Sequence, residues 1–300
     1  MEFAPIALFV YNRPKHTRAT VDALRLNILA PESDLFIFSD GAKKKDHAPE
    51  IEELRSYLSD ITGFKSVTLI NREHNYGLAK NIMEGVTEVV NKYNKVIVLE
   101  DDLVTAPFFL QYMNDSLNLY ENDPQVISIE GYLYPSKAKL PETFFIKGAD
   151  CWGWGTWKRG WDLFEADGQK LLTRLMETHK TYEFDYDGAY PFTEMLRLQV
   201  EGKISSWAVR WYASAFLNNK YTLYPGRSLV FNAGADGSGT HVGIDDVLTV
   251  ELSTTPINVS RIKVEQCVKA FLAFSKFHYK VYKPSLLYRA KRYFKKYIAR

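Results

Sequence analysis

The chain has 300 residues, of which 46% are hydrophobic, 14% aromatic and 25% charged. That composition excludes a disordered, collagen-like or disulfide-built protein. The net charge of +2 suggests neither a nucleic-acid binder nor an acidic tail, but it conceals a cancellation. Ten basic and no acidic residues follow Glu265; 28 Lys and Arg remain against 36 Asp and Glu, a body at −8 with a basic tail.

The N-terminal run Phe3 to Tyr11 is short and lacks a basic leader or small-residue cleavage site, so it reads as a first strand. Ile6 to Tyr11, Leu35 to Ser39, Val67 to Ile70, Val96 to Leu99 and Val126 to Glu130 have the length and Val/Ile/Phe content of buried parallel strands. Between them, Thr17 to Leu29, Ile51 to Leu58, Leu78 to Tyr93 and Pro107 to Tyr120 carry helical spacing. This alternation predicts βαβ units in an α/β fold, with a mostly parallel sheet flanked by helices and ligands at the carboxyl ends of the strands. Beyond Tyr132 the pattern loosens, and all six tryptophans fall between Trp152 and Trp211. They fit either a second core layer or a sugar-stacking platform. Cys151 and Cys267 match no metal or redox spacing, so a reducing compartment is expected. No window reaches the roughly 20 apolar residues of a membrane span.

The chemistry concentrates at Glu100-Asp101-Asp102, directly after the fourth apolar run. Consecutive carboxylates repel, and hard oxygens of this kind suit Mg²⁺ or Mn²⁺ shared with substrate phosphates. Strand periodicity would send Glu100 and Asp102 to one side and Asp101 to the other. Tyr11-Asn12-Arg13-Pro14, Ser39-Asp40-Gly41 and Glu73-His74-Asn75-Tyr76-Gly77 close the first three runs, and Lys80 follows on the third helix. Arg13 can pair with a phosphate, and Asp40 can accept from a base or ribose.

The order Val-Tyr-Asn-Arg, Ser-Asp-Gly, Asn-x-Gly-Leu-Ala-x-Asn, Val-Leu-Glu-Asp-Asp-Leu resembles GT-A glycosyltransferases. The likeness is greatest to the N-acetylglucosaminyltransferase I type, with its Glu-Asp-Asp version of the DxD motif, and spans roughly residues 3 to 243. It implies a GT-A fold over residues 1–262, with a nucleotide-binding half (1–131) and an acceptor half (132–262), followed by a basic amphipathic helical tail (263–300). By the same resemblance Asp102 would hold the divalent cation, and Glu100 and Asp101 would contact ribose or sugar. Tyr11, Arg13, Asp40, Asn75 and Lys80 would line the donor site. The Gly-rich acceptor loop maps onto Trp152, Gly153, Trp154 and Gly155, with Trp207 beside it, while His241 would reach the metal or diphosphate.

One departure concerns the base. Counted back from Pro225, the family's catalytic aspartate falls on Ala208 or Val209, neither of which accepts a proton. Glu194 is the first substitute, with Asp236 and Asp187 in reserve; a retaining reaction or a catalytically dead relative are the other options.

The implied activity is a metal-dependent, inverting transfer from a nucleotide-diphosphate sugar, UDP-sugar favoured, to a glycan or lipid-linked acceptor in bacterial surface polysaccharide assembly. The alternatives are an inactive sugar-binding scaffold, which the missing aspartate would suit, and a sugar nucleotidyltransferase. The latter usually carries a Gly-rich basic loop where this chain has Tyr11-Asn12-Arg13-Pro14. The aromatic, basic segment 283–300 suits an anionic bilayer surface, which predicts a cytoplasmic protein peripheral on the inner membrane; no nucleic-acid motif accompanies it.

Overall fold

The computed structural model describes residues 3–236 and 246–283. Its strands are β1 (Ile6–Val10), β2 (Asp34–Ser39), β3 (Ser66–Asn71), β4 (Lys95–Glu100), β5 (Leu103–Thr105), β6 (Val126–Glu130), β7 (Thr143–Lys147), β8 (Trp154–Trp157), β9 (Tyr221–Pro225) and β10 (Val230–Asn232). The helices are α1 (Pro14–Arg25), α2 (Ala48–Ser59), α3 (Leu78–Tyr93), α4 (Phe109–Leu119), α5 (Lys158–Trp161), α6 (Gly168–Glu177), α7 (Thr181–Phe184), α8 (Phe192–Val200), α9 (Ala208–Leu217) and α10 (Val268–Tyr282).

Eight strands form one sheet in the order β3-β2-β1-β4-β8-β6-β9-β7, and β10 pairs with β5 in a small second sheet. The pairs β3–β2, β2–β1, β1–β4 and β6–β9 are parallel, whereas β8 runs antiparallel to β4 and β6, as β7 does to β9. This is the expected mixed α/β arrangement, with a mostly parallel sheet flanked by helices. One strand, β8, was not among the expected runs, and it inserts between the fourth and fifth of them. Its sequence, Trp-Gly-Thr-Trp, lacks the continuous apolar run that marks the others.

Strand alternation sorts the two faces of the sheet. Ile6, Leu8 and Val10 share a core cluster with Val21 and Leu24 of α1 and Leu110 and Met113 of α4. Ala7 and Phe9 instead join Ile82, Val86 and Val89, the period-3.6 stripe of α3. Pro14 opens α1 with its fixed φ, and Asn94 closes α3 in the left-handed conformation (φ 61°). A third cluster lies between β7 and β9 and the helices α6, α8, α9 and α10. Phe274 and Ala270 of α10 are buried there, which ties this helix to the body. No helix among the described residues is long and apolar enough to cross a membrane.

Candidate functional site

The carboxyl ends of β1, β2 and β4 lie side by side because those strands are parallel and in register, Val10 opposite Ser39 and Phe9 opposite Glu100. The first residues beyond these ends are therefore neighbours, and they are charged. Arg13 donates through Nε and Nη2 to Asp101 and through Nη2 to Asp102 Oδ2 at 2.9 Å. The side chains of Arg13, Asp101 and Asp102 are 19%, 6% and 14% exposed, so the triad is largely withdrawn from water. Thr20 Oγ1 of α1 donates to the Asp101 carbonyl at 2.9 Å and fixes the turn. Arg13 Nη1 is buried without a hydrogen-bond partner among the described residues.

A turn at Asp101-Asp102 ends β4, so strand alternation does not continue through the cluster. Contrary to the expected split, Asp101 and Asp102 both turn to Arg13, and only Glu100 keeps a strand position. Asp101, expected at the ribose or sugar, is 4% exposed and has both its oxygens engaged by Arg13. Burial raises Asp101 to about 6, against the pull of Arg13 and with the push of Asp102. Glu100 is raised well above its ordinary range by burial and then by Asp102 and Asp101. These are the marks of a site with excess negative charge.

From the other side, Ala233 N–H donates to the Asp102 carbonyl at 2.8 Å, and a Cβ at Gly234 would collide with the Asp102 carboxylate. Among the described residues, no group of three or more His, Cys, Asp and Glu side chains is placed to enclose a metal. A hard divalent cation here would have to be held by Asp102 together with phosphate oxygens and not by a protein cage. Asp236 ends the turn that begins at Ala233, so its backbone lies near Asp102. His241 lies outside the described residues.

Asp40 is 4% exposed, and its oxygens accept from the backbone N–H groups of Gly41 (2.8 Å), Tyr76 (2.8 Å) and Gly77 (2.9 Å) and from Asn75 Nδ2 (3.0 Å). It ties the loop before α3 to the end of β2, and Gly77 enters the helix with φ +71°. Tyr11 is half-buried, its hydroxyl 2.6 Å from His47 Nδ1 and accepting from Lys43 N–H. Lys80 is exposed, over the Tyr76 ring at 4.3 Å and 3.6 Å from Glu84.

The tryptophan segment is core. Trp154 is fully buried in β8, its ring 5.4–5.8 Å from those of Trp161, Trp207 and Trp211. Trp207 is 3% exposed. Gly155 lies inside the sheet opposite Ile97 and Ile129, where a Cβ would press on Met113 and the Val96 carbonyl. Gly153 (φ +73°) packs against Val230. Trp154, Trp207 and Gly155, expected at the acceptor site, thus lie in the packed core. Trp152 is partly buried, edge-on to Tyr132 at 4.8 Å. Glu194 is exposed on α8 and paired with Arg197 of its own helix, so no described contact joins it to the carboxylates.

The sequence reading passed over a second acidic group. Asp150 accepts from Tyr134 Oη at 2.6 Å, from Cys151 N–H at 2.9 Å and, at a longer 3.5 Å, from Tyr224 Oη. Burial raises its pKa. Glu130, at the end of β6, is fully buried and raised well above its ordinary range by burial and then by Asp150. Asp150 lies two residues before the Trp152 to Gly155 segment, but its tyrosine partners are distant in sequence.

Residues 6–158, half of the chain, match the family model described as Glycosyl transferase family 2. The chain belongs to that family, and its sheet is of the GT-A class. No curated protein matches the chain. Among solved structures it is similar to a mannosyltransferase, PcManGT from Pyrobaculum calidifontis, in complex with GDP-Man and Mn²⁺. The identity is 14%, with 44% of this chain and 37% of that one covered and a TM-score of 0.32. It is also similar to S. aureus TarS 1-349, at 9% identity, 77% and 60% coverage and a TM-score of 0.43. The same TarS portion in complex with UDP-GlcNAc gives 10% identity, 75% and 57% coverage and a TM-score of 0.40. The chain thus spans less than two thirds of the length of these proteins.

Proposed function

We propose that this protein is an inverting glycosyltransferase that moves a sugar from a nucleoside-diphosphate sugar, UDP-sugars first, to a hydroxyl of a glycan or lipid-linked acceptor. The observation that carries the reading is the Arg13–Asp101–Asp102 triad at the aligned strand ends of a family 2 chain. Asp102 would hold Mn²⁺ or Mg²⁺, and the bound cation would neutralise the diphosphate leaving group. Asp101, buried and engaged at both oxygens, holds the Arg13 guanidinium in place, and Arg13 Nη1 keeps a donor for a phosphate oxygen. Glu100, half-buried, is left to meet the ribose or sugar. Asp40 and Asn75 set the loop that would bound the nucleoside. Lys80 adds positive charge at the outer rim.

The setting we propose is surface-polysaccharide assembly at the cytoplasmic face of a bacterial membrane. Supporting it, Val268 and Leu272 of α10 are exposed among Lys269, Lys276 and Lys280, and the sequence after that helix, 284–300, outside the described residues, is basic and aromatic.

A thermal-shift panel of UDP-, GDP- and dTDP-sugars, each with and without Mn²⁺, tests the donor assignment. Stabilisation by one nucleotide class in the presence of Mn²⁺ supports it. No shift with any of them favours a non-catalytic scaffold, the reading that Ala208 would suit.

A further inference from the structure

We propose that Asp150 is the general base that deprotonates the acceptor hydroxyl, replacing the acid missing at Ala208. The inference rests on the glycosyltransferase reading and adds the group that reading lacks. An inverting transfer needs a proton acceptor within hydrogen-bond reach of the incoming hydroxyl. Ala208 and Val209 offer none, and Glu194 is held by Arg197 on the surface of α8.

Three observations place Asp150 at the right edge. Trp154 of β8 is paired with Val98 of β4 and with Glu130 of β6. Because β8 runs against both, the segment entering it, Asp150 to Gly153, passes the carboxyl ends of the strands that carry Glu100 and Glu130. Gly131 N–H donates to the Gly153 carbonyl at 2.8 Å and fixes that passage. The Cys151 thiol next to it is pushed up by burial and then by Asp150, Glu100, Glu130 and Asp102, so the segment feels the charge of the strand-end carboxylates. Trp207, which precedes Ala208, stacks on Trp154 at 5.5 Å, and Cys151 and Ala208 pack against the same core cluster. The start of α9, which carries Ala208, thus packs on the strand that the Asp150 segment enters.

The chemistry of the other carboxylates narrows the choice. Glu130 is fully buried, and Asp101 has both oxygens on Arg13. Asp150 is half-buried, its Oδ2 oriented by the Tyr134 hydroxyl and its Oδ1 held only by the Cys151 N–H, which leaves that oxygen a lone pair for an acceptor hydroxyl. Tyr134 is itself held by the rings of Phe274, Phe277 and His278 of α10, 4.9–5.1 Å away. In the step, the acceptor oxygen bonds to the anomeric carbon while the bond from that carbon to the phosphate oxygen breaks. Its electron pair leaves with the nucleoside diphosphate, and the hydroxyl proton passes to Asp150 and then to solvent.

Water is the smallest hydroxyl acceptor, so UDP release from UDP-N-acetylglucosamine with Mn²⁺ reads the step without a known acceptor. We expect Asp150→Asn and Asp150→Ala to lower kcat by about 100-fold or more, the usual worth of a general base, with UDP affinity by calorimetry unchanged. Formate, a small carboxylate that fits the space left by truncation, should restore turnover to Asp150→Ala and not to Asp150→Asn. Unchanged turnover with intact UDP binding overturns the role of Asp150 alone. A wild-type protein that neither binds UDP nor releases it overturns the glycosyltransferase reading for this donor and the base with it. Should neither Asp150 variant fold, Tyr134→Phe reads the same carboxylate: a several-fold fall in kcat at constant KM supports the proposal, and unchanged kcat overturns it.

Discussion

Asp101→Asn should make the metal-free protein more stable. Burial raises the Asp101 carboxyl to about 6 from its ordinary 3.8, even though Arg13 opposes the shift. A carboxyl with a raised folded pKa leaves stability intact below its unfolded pKa and removes it as pH climbs through the folded one. At pH 7 the charge at Asp101 therefore costs about 3 kcal/mol, from a displacement of roughly two pKa units at about 1.4 kcal/mol each. The neutral amide carries no such cost, and for a domain of this size the gain is a rise in Tm of roughly 5 °C. Urea or thermal unfolding of wild type and Asp101→Asn in EDTA, from pH 4 to pH 8, provides the assay. The variant's advantage should be absent near pH 4, grow to about pH 6 and stay flat above it. A variant less stable than wild type at pH 7.5 would refute the reasoning, since the attraction of Arg13 would then outweigh the burial of the charge.

Three further outcomes follow from the same structure. His278 is 5% exposed and burial depresses its pKa to about 3, so stability should fall as pH drops below the unfolded value of about 6.5, by about 2 kcal/mol at pH 5. His278→Phe should flatten that limb in urea titrations across pH 5–7. Asp40→Ala strands the N–H groups of Gly41, Tyr76 and Gly77 and should cost about 3 kcal/mol or more; hydrogen exchange at 75–77 should accelerate. Trp207→Ala should cost about 3–5 kcal/mol through the cavity it opens beside Trp154. Its effect should fall on Tm with KM for the acceptor unchanged, and a raised acceptor KM at unaltered Tm would return Trp207 to the acceptor site.

Much of the sheet was legible because β1, β2, β4 and β6 are continuous apolar runs. The stripe at Ile82, Val86 and Val89 marked α3 with its observed bounds, Leu78–Tyr93. β8 was hidden because two of its four residues are Gly and Thr and its tryptophans pointed toward a loop. Gly155 serves close packing under α4, which no local pattern reveals. The same difference divides the site. That charged residues gather at strand ends could be read from the chain, yet that Arg13 takes both Asp101 and Asp102 could not, since a turn replaces the strand geometry there. Asp150 depends on Tyr134 and Tyr224, which lie 16 and 74 residues away in sequence. Such a cluster exists only once β7, β8 and β9 have assembled.

The most direct test of the central claim is nucleotide release from a panel of UDP-, GDP- and dTDP-sugars by wild type and Asp102→Asn, with Mn²⁺ and with EDTA. The account predicts release from one nucleotide class by wild type with Mn²⁺, loss of at least about 100-fold in EDTA or in Asp102→Asn, and an unaltered fold by circular dichroism. Equal release by Asp102→Asn, or release indifferent to Mn²⁺, would contradict it.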